Sequence, residues 1–137
     1  MSLKTVLIVE DDCLIAFDVQ QELTAAGFFV CGVASSQAEA LEIAAALWPD
    51  LAVVDIGLDP GDGRIVAKRL HDELGAAVLF ATGQCSEIER LHGTGAMGCL
   101  PKPYSAALVP AALRAVCRMA DGDTPAELPD SMVALAA

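Results

Sequence analysis

Short, unbroken apolar runs punctuate the chain, and the segments between them repeat their apolar residues at helical spacing. The runs are Thr5-Val-Leu-Ile-Val9, Phe28-Phe-Val30, Leu51-Ala-Val-Val54, Ala77-Val-Leu-Phe80 and, more weakly, Met97-Gly-Cys-Leu100. Their β-branched character and lack of polar alternation predict five strands covered on both faces. Between them, Leu14, Ile15, Val19 and Leu23 fall on one helical stripe, as do Ala38, Leu41, Ala44, Ala45 and Trp48. Ser36 with Glu39 and Ser86 with Glu89 have capping-box spacing, and Asp62 and Ser105 are further helix starts. Gly27, Pro49 and Gly75 stand where helices should stop.

Five strand-then-helix units require crossover connections, and crossovers of one hand build a parallel sheet with helices on both faces. The expected fold class is therefore α/β, a single doubly wound domain with the flavodoxin-like strand order 2-1-3-4-5. That order places ligands beyond the carboxyl ends of the first and third strands. From Asp121-Gly-Asp-Thr-Pro125 onward the residues are those of turns and linkers, with no periodic core face. Residues 1–120 are expected to form the domain, and 121–137 a tail or linker without an effector domain.

Composition narrows the range of functions. A formal net charge of -11 repels nucleic acid phosphates and anionic lipid head groups, which argues against direct DNA or membrane binding. No stretch is long and apolar enough to span a bilayer, and a cytoplasmic protein is expected. The five cysteines, Cys13, Cys31, Cys85, Cys99 and Cys117, are scattered without zinc-site spacing and are expected to be reduced thiols.

The candidate chemistry lies at the carboxyl edge of the expected sheet. The first strand runs into Glu10-Asp11-Asp12 and the third into Asp55, on neighbouring strands about 4.8 Å apart. Like charges this close raise one another's pKa or require a cation, and an all-oxygen set suits Mg²⁺. Asp12 is open to two readings, a fourth acid of the cluster or the N-cap of the helix that follows. Thr82 and Gly83 end the fourth strand, and Lys102 in Pro101-Lys-Pro103 ends the fifth, so one hydroxyl and one cation join the acids. The Lys102–Pro103 peptide is of the kind in which a cis bond is accessible.

An acid pair, a lone aspartate, a hydroxyl and a lysine, each ending a core strand in this order, resemble the response-regulator receiver family of two-component signalling. The matching stretches are Val6-Leu-Ile-Val-Glu-Asp-Asp12, Leu51-Ala-Val-Val-Asp-Ile-Gly-Leu58, Phe80-Ala-Thr-Gly83 and Pro101-Lys-Pro103. The resemblance implies that Asp55 accepts a phosphoryl group. It makes Asp11 a direct magnesium ligand, Glu10 an acid acting on the metal through water, and Gly57 a donor of its backbone carbonyl. Thr82 and Lys102 then hold the phosphoryl oxygens. It further implies a sensor histidine kinase or phosphotransfer protein as donor and a downstream protein target. Catalysis is expected to be limited to the protein's own phosphorylation and dephosphorylation. Phe80-Ala-Thr-Gly83 is also similar to the signature of a receiver subgroup marked by an F-A-T-G-x-Y-like motif, often stand-alone, although Gln84 and Cys85 depart from it. Cys99 stands three residues before the lysine, where most receivers carry Tyr or Phe, and Tyr104 just beyond is the nearest aromatic substitute.

Three other functions compete. A pseudo-receiver, acting as a constitutive binding module, is favoured by Cys99 and opposed by the complete set of acids, hydroxyl and lysine. A phosphatase of the haloacid dehalogenase type needs a second aspartate at position 57, where this chain has glycine. A flavin carrier needs a hydroxyl-rich phosphate loop where this chain has Glu10, Asp11 and Asp12.

Overall fold

The computed structural model describes residues 4–125 and 127–135. Its strands are β1 (Thr5–Val9), β2 (Phe29–Ala34), β3 (Leu51–Val54), β4 (Ala77–Thr82), β5 (Gly98–Pro101) and β6 (Val133–Ala134). The helices are α1 (Cys13–Ala25), α2 (Gln37–Leu47), α3 (Gly63–Leu74), α4 (Ile88–Leu91) and α5 (Val109–Ala120), the last entered through a 3-10 turn at Ala106–Leu108. The sheet order is β2-β1-β3-β4-β5-β6. The first five strands are parallel in the expected order, and β6 adds to β5 in the antiparallel sense through Gly98–Ala134 and Cys99–Val133.

Both faces of the sheet are covered, which explains why the strands read as runs rather than alternations. Leu7, Val9, Val54, Val78 and Phe80 point to a core shared with Ala40 and Ala44 of α2 and Val66 and Leu70 of α3. Their neighbours Val6, Ile8, Val53 and Leu79 point the other way, onto Val19 and Leu23 of α1 and Leu113 and Val116 of α5. Every residue of β3 and β4 is buried. At roughly 25 cal/mol per Å² of apolar surface, this double layer is the main source of stability. In α5, Ala112 and Ala115 serve that packing, while Ala111 and, in the preceding 3-10 turn, Ala107 face solvent.

Local signals set most boundaries. Asp12 caps α1, its carboxylate accepting from the N–H groups of Leu14 and Ile15 at 3.0 and 3.2 Å. Of its two readings, the N-cap is the one the structure displays. Ser36 accepts from Glu39 N–H at 3.2 Å, but the Glu39 carboxylate reaches back to Ser35 N–H rather than to Ser36. Asp62 caps α3 by accepting from Arg64 N–H at 2.9 Å, and the Arg64 guanidinium holds its carboxyl below the usual range. Gly75 closes α3 in the left-handed region at φ 68°, which glycine adopts without steric penalty.

Four features depart from expectation. β2 runs four residues past the short apolar run, because an edge strand needs only partial burial and Cys31-Gly32 interrupts the apolar pattern. α4 is a single turn, and the Glu89 side chain of the expected capping box lies outside the described residues. Ser105 makes no side-chain cap; a 3-10 turn intervenes. The tail carries β6, with Met132 and Leu135 buried, since a two-residue strand is too short to leave a periodic signal. Among the described residues, no helix is long and apolar enough to cross a membrane.

Candidate functional site

β1 and β3 are adjacent and in register, Val9 opposite Val54, so Glu10, Asp11 and Asp55 leave the sheet side by side. Carboxylate oxygens of the three lie within 4.8 Å of one another. Glu10 and Asp55 are only 5% and 7% exposed, whereas Asp11 is open to solvent. Val54 is opposite Phe80, and the buried Thr82 ends β4 two residues farther on. The Thr82 carbonyl accepts from Lys102 N–H at 2.9 Å, which ties the hydroxyl-bearing residue to the lysine through the backbone.

Lys102 makes the central contact. Its Nζ lies 2.6 Å from Glu10 Oε1 and 2.9 Å from Asp55 Oδ2, so one ammonium bridges the ends of β1 and β3 from beyond β5. Burial by itself pulls this ammonium down, but hydrogen bonds to Glu10 and Asp55 and their charges outweigh it and hold the group above the ordinary lysine value. Burial raises the Glu10 carboxyl and the charge of Asp55 adds to it. The bonds from Lys102 and Asp12 N–H oppose this, and the balance lies above the ordinary value. The Lys102–Pro103 peptide is cis, as is Asp59–Pro60.

The backbone completes the frame. Gly57 N–H donates to Asp55 Oδ1 at 3.3 Å, and Asp59 N–H donates to Asp11 Oδ2 at 3.1 Å. The Gln84 amide leans over Gly57, its Nε2 standing 3.5 Å from where a Cβ would be. Gly63, not singled out in the sequence, is where α3 begins directly against the Asp55 backbone. A Cβ there would collide with the Asp55 carbonyl oxygen, and Gly63 N–H donates to Ile56 at 2.9 Å. The signal that could have found it is a glycine directly after a helix N-cap, one loop away from the lone aspartate.

One reading of residues near the site changes. Cys85 and Cys99 are joined in a disulfide, with Cα atoms 5.7 Å apart, which corrects the expectation of reduced thiols throughout. The physical cause is that Cys99 lies on β5 opposite Phe80, and the chain leaving β4 folds back over that position. Cys13, Cys31 and Cys117 are free thiols. Tyr104 is half-buried beside Lys102, lining a cavity of about 430 Å³ with Ile15, Asp18, Pro103 and Ala106. Burial, reinforced by the charge of Glu10, pushes its phenol up to about 12.

The family model for the response regulator receiver domain matches residues 6–114, spanning all of these strand ends. The chain belongs to the response regulator receiver domain family. It is 36% identical over 118 residues to the transcriptional regulatory protein PdtaR of Mycobacterium tuberculosis, covering 84% of this chain and 58% of that protein. It is 33% identical over 125 residues to the response regulator MprA of Mycobacterium leprae, covering 89% and 54%. This receiver thus spans little more than half the length of these relatives. In three dimensions it resembles the signal receiver domain of a modulated diguanylate cyclase from Desulfovibrio desulfuricans, with TM-score 0.73, 33% identity, and 87% and 94% of the two chains covered. A CheY-like receiver domain protein from Methanospirillum hungatei gives TM-score 0.73 at 26% identity, covering 88% and 96%. The general function of receiver domains is phosphorylation signalling between histidine kinases or phosphotransfer proteins and downstream targets, and they generally bind Mg²⁺ at an acidic pocket. In this chain Glu10, Asp11 and Asp55 form an acidic cluster at the strand ends.

Proposed function

We propose that this chain is a phosphorylation-dependent signalling receiver in which Asp55 accepts a phosphoryl group from a phosphohistidine donor, with Mg²⁺, and signals through altered protein contacts. The observation that carries the reading is Lys102 Nζ held between Glu10 and Asp55, at 2.6 and 2.9 Å. Three carboxylates and one ammonium leave a formal charge of −2 at the site, which one divalent cation cancels. Asp11 and Asp55 would hold it directly, with Glu10 acting through water and Gly57 through its carbonyl. When bound, Mg²⁺ neutralises charge on the transferring phosphoryl group.

The remaining work falls to the chain itself. Asp55 supplies the nucleophilic oxygen, aimed by the Gly57 N–H on Oδ1 and by Lys102 on Oδ2. Phosphoryl transfer asks chiefly for such positioning and for electrostatic stabilisation. As charge moves onto the phosphoryl oxygens, Lys102 follows it and the Thr82 hydroxyl donates to it. Gln84, over the mouth of the site, orients or excludes the water that later hydrolyses the acyl phosphate. Catalysis is then limited to acquiring and losing this one group. Leu14 and Phe17 of α1, 75% and 56% exposed, form an apolar patch suited to the donor protein.

The test is intact-mass spectrometry with Mg²⁺ and acetyl phosphate. Wild type gains a phosphoryl adduct that chelation abolishes, and Asp55→Asn gains none. An adduct that survives either change removes the reading. No adduct at all supports the second reading, a non-cycling pseudo-receiver, which the disulfide pinning the segment after Thr82 favours.

A further inference from the structure

Among the described residues, the segment between β4 and β5 is the connection that carries a covalent anchor. α4 spans only four residues, and the hydrogen bonds of Gln84, Glu87 and Arg90 stay inside the segment. The covalent anchor is Cys85–Cys99, which closes a separation of 14 residues enclosing the whole of α4. Its two ends are unequal. Cys99 is fixed in the sheet, paired with Phe80 on one side and Val133 on the other. Cys85 is on the connection itself, three residues after Thr82, with its Sγ 3.7 Å from the Thr82 carbonyl.

The anchor lies next to Thr82, which in the proposed function donates to the phosphoryl group on Asp55. A movement of the Thr82 hydroxyl onto that group carries the backbone at Thr82 and Gly83 with it. A Cβ at Gly83 would meet nothing within 4 Å, so the space for that shift exists. Two residues later, however, the chain is bonded to a strand with a neighbour on each side. The other cysteines are placed for no such role. Cys31 donates to the Val6 carbonyl at 3.4 Å, and burial pushes both the Cys31 and the Cys117 thiols up, towards the unreactive protonated form.

The geometry points to Cys85 and Cys99 as a reversible thiol–disulfide site that gates the receiver: the disulfide holds the segment after Thr82 back, and the dithiol releases it to follow phosphorylation of Asp55. This rests on the receiver reading above. The exchange partner is a small-molecule disulfide of the glutathione class. Local opening of the single-turn α4 exposes Cys85, whose thiolate attacks the small disulfide and expels one thiol. The Cys99 thiolate then displaces the second thiol from the mixed disulfide. Two electrons and two protons pass from the pair to the small disulfide, giving two small thiols. Reduction runs the same steps backwards. Because coupling between two sites is reciprocal, phosphorylation in turn favours the dithiol.

The experiment equilibrates the full chain across graded ratios of oxidised and reduced glutathione. Thiols are then trapped by alkylation and mapped by mass spectrometry, and each form is phosphorylated with acetyl phosphate and Mg²⁺. Cys85 and Cys99 should change together from a pair protected without added glutathione mass to a pair alkylated, whereas the exposed Cys13 is protected only as a mixed disulfide carrying glutathione. The dithiol form should accumulate about fivefold more aspartyl phosphate than the disulfide form. Cys85→Ala with Cys99→Ala should behave as the dithiol at every ratio, and wild type in its two forms carries the comparison if that variant folds poorly. A pair that never forms, or never reduces, overturns the proposal. So does equal phosphorylation of the two forms. An adduct absent from both forms overturns the receiver reading and the gate with it, an outcome distinct from equal adducts.

Discussion

The two halves of the sheet are built to different rules. On the β2-β1-β3 side, α1, α2 and α3 run for 13, 11 and 12 residues, and Asp12, Ser36 and Asp62 cap them with side-chain hydrogen bonds. On the β4-β5-β6 side, α4 is one turn, α5 starts without a side-chain cap, and a disulfide and a two-residue strand do the fastening. The chemistry sits on the boundary: the acids come from the regular half, Thr82 and Lys102 from the irregular one. Carboxylates that must share a few ångströms need a rigid frame. The groups that answer a change of charge need a surround that can shift.

The comparison can be broken most severely at its rigid end. Gly63→Ala forces a methyl group into the Asp55 carbonyl, and should cost about 3 kcal/mol in urea unfolding. An unchanged midpoint would mean that α3 does not seat against Asp55 as described. Next comes the boundary. Lys102→Met should slow phosphorylation by acetyl phosphate about 100-fold while leaving magnesium titration intact, because the lysine stabilises charge and holds no metal. Equal loss of metal binding would count against that division of roles. In the irregular half, Met132→Ala removes a buried side chain packed over Gly98 and should cost about 2 kcal/mol, with faster hydrogen exchange in β5 than in β1. Uniform exchange across the sheet would erase the contrast.

The smallest effect is spectroscopic. Tyr104 is the sole tyrosine, so ultraviolet titration reads it alone, and its midpoint should lie at about 12 rather than the ordinary 10.0. The sign follows from linkage. Between those values the unfolded chain has already released the phenolic proton that the folded chain keeps. This contribution to stability is therefore complete below pH 10 and is lost as pH rises toward 12. An ordinary midpoint would show Tyr104 lying open to solvent.

The regular half was legible because its signals are local. A run of apolar residues ending in Glu10-Asp11 or in Asp55 states both the strand and what stands at its tip, and parallel order then brings the tips together. Lys102 and Thr82 were legible for the same reason. The bridge from Lys102 to Glu10 was not, since it depends on how far a flexible side chain reaches across two strands. The Cys85–Cys99 pairing depends on a fold-back of the chain after β4 that spacing alone does not reveal. β6 escaped notice because two residues carry no period. Gly63 escaped because a glycine after a helix cap looks like an ordinary turn residue until a backbone carbonyl is found where its side chain would be.

β6 has a consequence for how copies of this chain meet. By occupying the outer side of β5, Val133 and Ala134 make a two-residue strand the rim on that side of the described sheet, opposite the six-residue rim of β2. A second chain can add a strand at the β2 rim, as the exposed Phe29 and Val33 invite, but growth stalls at the far rim, where β6 offers too little backbone to pair. If residues 131–135 peel away, the longer β5 becomes that far rim, and head-to-tail addition no longer terminates. Two residues of tail separate a sheet that can at most pair from one that can polymerise.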